Sequence, residues 1–66
     1  MKAKVEQAWI RPGEGGKAYE VVVRVDIVKG KFIESVHAQM DDAQARMKVL
    51  LRPDIFVESR DLTPTV

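Results

Sequence analysis

A serine and a histidine stand close enough in the chain to suggest nucleophilic chemistry. Ser35 and His37, the only histidine, are two positions apart, so on a strand they lie on the same face. Such a pair can act as nucleophile and general base. However, same-face neighbours on one strand are about 6.5–7 Å apart at their bases, and no glycine elbow accompanies them. We therefore expect His37 to be a surface histidine.

Residues 13–17 contain three glycines followed by a lysine, a composition seen in phosphate-binding loops. The spacing does not fit. The pattern requires a glycine five positions before Gly16, where Arg11 stands, and a serine or threonine after Lys17, where Ala18 stands. A flexible connection between strands is the better interpretation.

Paired carboxylates occur once, at Asp41 and Asp42. Adjacent residues at a helix start point in different directions, and helix capping explains both. One histidine, scattered carboxylates and no cysteine give no set of metal ligands. The sequence thus predicts no catalytic site, no cofactor, no metal and no small-molecule substrate, and we do not expect an enzyme.

Composition is that of one small globular domain. The 66 residues are 45% hydrophobic and 32% charged, with a net charge of +1. This near-neutral charge argues neither for a strong nucleic-acid binder nor for an acidic DNA mimic. No signal or membrane-spanning segment is evident, so the cytoplasm is the expected location. We expect a single domain over residues 1–60 and a flexible tail over residues 61–66.

A hairpin over residues 19–38 is the element that positions everything else. Its first arm alternates apolar and polar residues, and Lys29-Gly30 suits a two-residue turn. That turn pairs Ile27 with Phe32. A three-residue loop with a bulge would instead pair Arg24 with Glu34, but it would separate apolar side chains worth about 1.5–3 kcal/mol each for an ion pair worth about 0–1 kcal/mol.

Other elements follow from local patterns. A strand is predicted over residues 3–10, with Val5 and Trp9 on the core side, and a loop with a Pro12-Gly13 type II turn over residues 11–17.

Helical spacing returns over residues 42–51, with Asp41 as the N-cap and Pro53 as the stop. The expected apolar stripe of this helix comprises Met40, Ala43, Met47, Leu50 and Leu51. Residues 54–59 can form a short fourth strand or an apolar tail.

These elements predict a two-layer α+β fold: an antiparallel three-stranded meander, with a possible fourth strand, packed on one helix in the order βββα(β). The helix covers one sheet face, and the second face has no covering element. Apolar residues among charges on that face indicate a recognition surface. The candidate binding residues are Val22, Arg24, Val28, Lys31, Ile33, Ser35 and His37.

The expected function is a small non-catalytic protein-interaction module: a regulator, inhibitor or accessory subunit of the type common in phages and mobile elements. It would dock a protein partner, or a second copy as a homodimer, through its open sheet face or edge.

An alternative is nucleic-acid binding. The order of elements over residues 3–51 resembles the arm-type DNA-binding domains of phage and transposon integrases. That resemblance implies a sheet face entering a major groove, with Arg24, Lys31, Ser35 and His37 as readers.

Overall fold

A computed structural model describes all residues from Met1 to Val66. It contains five strands, one α-helix and two short 3₁₀ turns, at Glu14–Gly16 and Ser59–Asp61. The elements in chain order are β1 Lys2–Pro12, β2 Tyr19–Val25, β3 Lys31–His37, α1 Met40–Leu50, β4 Phe56–Glu58 and β5 Thr63–Thr65.

The five strands form one antiparallel sheet in the order β4-β1-β2-β3-β5. Strands β1 to β3 make the predicted meander, α1 packs on one face of it, and β4 is the predicted fourth strand. The α+β fold with βββα order is therefore confirmed. Strand β5 lies in the segment that we expected to be a flexible tail, where residues 63–65 instead pair with β3.

The core lies between the sheet and α1, on what we call the helix-side face. No polar or charged residue is buried there. Its buried members all carry small or branched apolar side chains, and they are Ala3, Val5, Val21, Val23, Val25, Ala43, Leu50, Val57 and Leu62.

A β-bulge in β1 changes which residues face this core. Val5 pairs with Val25, but Gln7 pairs with Arg24, so Glu6 is an extra residue in the strand. One extra residue reverses the alternation of side chains beyond it. The prediction that Trp9 shares a side with Val5 is therefore wrong, and Trp9 lies opposite Val22 on the second face.

The register predicted for the hairpin is also wrong. Phe32 pairs with Val23 rather than Ile27, and a second bulge places Glu34 outside the regular pairing. Strand β2 ends at Val25. The Asp26 N–H still donates to the Lys4 carbonyl at 3.1 Å, but the Lys4 N–H donates to the Asp26 carboxylate at 3.0 Å, so a side chain interrupts the backbone ladder at this point. The connection from β2 to β3 is therefore a loop over residues 26–30 and not the predicted two-residue turn.

The helix begins two residues earlier than predicted. Gln39 is the N-cap and makes no side-chain capping bond, so the assignment of Asp41 as N-cap is wrong. Asp41 now lies in the first turn, where the helix dipole favours an acidic side chain. The stripe is narrower than expected: Ala43 and Leu50 are buried, whereas Met40 and Leu51 are exposed.

The connection from β1 to β2 is more ordered than predicted. Strand β1 continues to Pro12, and Gly13 has φ −76°, which excludes the type II turn since that turn needs a positive φ there. The positive φ values belong to Gly15, at 78°, and Gly16, at 69°.

Candidate functional site: the second sheet face and the open edge of β1

The structure divides the seven predicted binding residues among three places. Four lie on the second face, the one turned away from α1: Val22, Arg24, Lys31 and Ile33. Val28 lies in the β2–β3 loop and is 45% exposed.

Ser35 and His37 lie on the helix-side face, since they pair with Val21 and Tyr19. The bulge at Glu34 causes this split, because it reverses the alternation between Ile33 and Ser35.

Val22 is not part of an exposed surface. It is 0% exposed, although α1 is on the other side of the sheet. Arg11 lies on the same face as Val22 and bonds to Glu20 through its Nε at 2.7 Å. Its other guanidinium nitrogens donate to the Val66 carbonyl at 2.8 Å and to the Thr65 hydroxyl. The end of β5 is thereby held to β1 across the second face.

These contacts require a strongly curved sheet. Strands β2 and β3 separate β1 from β5, and three spacings in a flat sheet would place β1 and β5 about 14 Å apart. One side chain cannot bridge that distance unless the sheet curls. The bulges at Glu6 and Glu34 supply the curvature, since a bulge bends its strand and increases twist. The second face is therefore concave, with Val22 in its interior.

An aromatic ring and unpaired cations lie together on this concave face. The guanidinium carbon of Arg24 is 5.8 Å from the centre of the Trp9 ring, a cation–π distance. Neither Arg24 nor Lys31 has a carboxylate partner.

Charge on the second face is positive but modest. The bulge residue Glu6 is counted on the same face as its neighbour Gln7. This face then carries five cations and three carboxylates, so its formal charge is +2 and that of the rest of the chain is −1. The cations are Lys2, Lys4, Arg11, Arg24 and Lys31; the carboxylates are Glu6, Glu20 and Glu58.

A shallow pocket of about 490 Å³ opens at one end of the concave face. It lies between Glu6 in the β1 bulge, Arg24 and Val25 at the end of β2, and the β2–β3 loop over residues 26–30. Two cations and two carboxylates line it, so its formal charge is zero, and its loop side chains are exposed. Nothing in this lining selects an anion or a cation.

Ser35 and His37 approach each other more closely than their strand spacing suggests. The His37 Nε2 and Ser35 Oγ atoms are 2.8 Å apart, because side chains on a strand lean along it. The other ring nitrogen of His37 makes no hydrogen bond, and the pocket lies at the opposite end of β2. No acid therefore orients the imidazole through that nitrogen, and no cavity lies beside the pair.

An ion pair joins the bulge in β3 to the helix. Arg46 donates to the two Glu34 carboxylate oxygens at 3.0 and 2.6 Å. Burial disfavours the charged form of Glu34, but the hydrogen bonds and the charge of Arg46 outweigh it and lower the pKa of Glu34. The hydrogen bond to Glu34 likewise raises the pKa of Arg46.

The outer edge of β1 is open over most of its length. Strand β4 covers only Lys2 to Lys4, and no hydrogen bond from elsewhere in the chain reaches the outer backbone of residues 5–12. We call residues 6–12, which run from the bulge residue Glu6 to the end of β1, the open edge. The only other uncovered stretch of a long strand is residues 34–37 of β3, which contains the bulge. The sequence did not identify the open edge, because it follows from how little of β1 the short strand β4 covers.

No group of three or more histidine, aspartate or glutamate side chains is arranged to hold a metal ion. None of the helices has the length and apolar character needed to cross a membrane. No protein-family model, curated protein or solved structure gave a significant match to the chain.

Proposed function

We propose that this protein is a non-catalytic interaction module that takes a strand of a protein partner onto the open edge of β1. The observation that carries this proposal is the pairing of β1, an eleven-residue strand whose outer side is covered only at Lys2–Lys4. An exposed row of unpaired N–H and C=O groups is a template for strand addition. The cytoplasm is the proposed location.

The position of the open edge supports the same function. Its side chains alternate between the core, through Ala8 and Ile10, and the concave face, through Trp9 and Arg11. A strand added there would meet apolar side chains on one face and an aromatic–cationic surface on the other. Backbone bonds would provide affinity, and side chains on the two faces would provide specificity.

Strand addition can be tested with backbone variants, because a chain of 66 residues is accessible to chemical synthesis. One N–H of residues 7–11 that points away from β2, identified by its rapid amide exchange, is N-methylated. A control chain is methylated at an N–H of β4 that points away from β1. A partner that binds through the open edge should bind the wild type and the control chain but not the β1 variant. Identical binding by all three chains would refute the proposal.

Nucleic-acid binding is a second candidate, and the contact of Arg24 with Trp9 favours it. Single-stranded nucleic acids bind on aromatic platforms flanked by cations, and Trp9, Arg24 and Lys31 share the concave face. Ser35 and His37, the other two proposed readers, lie on the helix-side face and do not contribute to it.

Anisotropy of a labelled single-stranded oligonucleotide tests this candidate. Binding should weaken steeply as salt rises and should fall in Lys31→Glu. Lys48→Glu, on the exposed side of α1, is the charge-matched control. Equal affinity in the two variants would exclude the concave face as the binding surface.

A further inference from the structure

The open edge can pair with the same edge of a second copy over its whole length. It runs over residues 6–12, so Trp9 is at its centre. When two identical strands pair antiparallel, residues directly opposite each other must lie on the same face of the sheet. The two-fold axis must therefore lie midway between the two copies of one residue, which are opposite each other. Of the registers that satisfy this condition, only the one centred on Trp9 pairs the whole open edge with itself.

We propose that the strand taken by the open edge is β1 of a second copy of this chain, antiparallel, with Trp9 opposite Trp9. This inference rests on the proposed function, since it names the occupant of the same edge. The two sheets would become one continuous sheet, with the helices of both copies on the same side.

Side chains in this register are compatible with self-pairing. Gln7 lies opposite Arg11 of the second copy, and Ala8 lies opposite Ile10 of the second copy. Arg11 is the only charged residue between positions 7 and 11, so no like charges meet, whereas like charges opposite each other would destabilise the pair. Ala8 and Ile10 are half-buried at the margin of the core, and a neighbouring strand would cover them further.

Features at both ends of the open edge limit the length of the pairing. The bulge at Glu6 interrupts the ladder at one end, and Pro12 lacks an N–H at the other. An isologous contact of this kind closes on itself, so it produces a dimer and not a filament.

Charge substitutions at Gln7 test the register. Gln7 is exposed, so changing it leaves the core of each copy intact. Within one copy Gln7 lies opposite Arg24, and urea denaturation of each variant measures the effect of that neighbour separately. Gln7→Lys places a cation opposite Arg11 of the second copy, and it does so twice per dimer. Gln7→Glu places an anion there. From the usual strength of cross-strand pairs, we expect the dimer dissociation constant to rise about two- to thirtyfold in the first variant and to fall by a similar factor in the second.

Sedimentation over a wide concentration range measures the dimer, and the emission of Trp9, the only tryptophan, reports directly on the proposed axis. Gln44→Lys and Gln44→Glu, on an exposed position of α1, are the matched controls and should leave dissociation unchanged.

Two results would overturn the inference. A monomer at every concentration would exclude the second copy, while edge-dependent capture of another partner would still support the proposed function. If the Gln7 and Gln44 variants change the dimer dissociation constant equally, the two copies associate through another surface.

Discussion

The ion pair between Glu34 and Arg46 should contribute measurably to stability, and Glu34→Gln tests it. The variant keeps the shape of the side chain but removes its charge, so Arg46 loses a bidentate carboxylate partner. The Glu34 side chain is only 11% exposed, but that of Arg46 is 40% exposed and can recover hydration. A charge-assisted hydrogen bond is worth about 1.5–3 kcal/mol; after allowance for solvent at Arg46, we expect Glu34→Gln to lower the free energy of unfolding by about 1–2 kcal/mol.

The same variant should alter the pH dependence of stability. The pKa of Glu34 is lowered in the folded protein from its ordinary value of 4.5, so the unfolded chain binds the proton more readily. The stabilisation is therefore present above pH 4.5 and is lost as pH falls through the lower, folded pKa. The difference between wild type and Glu34→Gln should be full at pH 7 and should shrink in acid.

Urea denaturation at neutral and acid pH measures both effects. Asp54→Asn is the control, because Asp54 and Arg52 form a pair whose side chains are 63% and 61% exposed, and such pairs contribute about 0–1 kcal/mol. If Glu34→Gln costs no more than Asp54→Asn at neutral pH, or if its cost does not decline in acid, the ion pair does not stabilise the fold as described.

Further variants test the core and the hairpin loop by the same denaturation assay, and the β1–β2 connection by thermal melting. Leu50→Ala should cost about 2–5 kcal/mol because Leu50 is 0% exposed, whereas Leu51→Ala, at a position 46% exposed, should cost less than about 0.5 kcal/mol; equal costs would contradict the packing of α1. Gly30→Ala should cost about 1–3 kcal/mol from backbone strain alone, since Gly30 has φ +117° and only ordinary contacts would surround the added methyl group; an unchanged stability would mean that the loop has another conformation. Replacing Glu14–Gly16 by a different glycine linker should leave the melting midpoint nearly unchanged, because these residues are exposed, and a fall of many degrees would indicate that the turn is packed.

Periodicity was a good guide to the elements and a poor guide to their faces. The valine alternation in β2 and the helical spacing around Ala43 and Leu50 correctly predicted a meander packed on a helix. Alternation cannot reveal an inserted residue, and the bulges at Glu6 and Glu34 each reversed the faces assigned beyond them.

The predicted site was divided for the same reason. Arg24 and Lys31 precede the bulge in β3 along the hairpin and were placed correctly on one face, whereas Ser35 and His37 follow it. The role of Arg11 depends on Thr65 and Val66, which are distant in the chain, and no local pattern connects them.

The way the sheet is completed has a consequence for folding during synthesis. Strands β4 and β5 both lie after residue 55, but they pair with strands that begin at Lys2 and Lys31. A nascent chain therefore exposes the meander and the helix before the residues that flank either side of the sheet have been made. Such distant pairings form slowly, and partly folded chains with bare strand edges are prone to aggregate. The yield of native protein should depend on how soon residues 56–65 leave the ribosome.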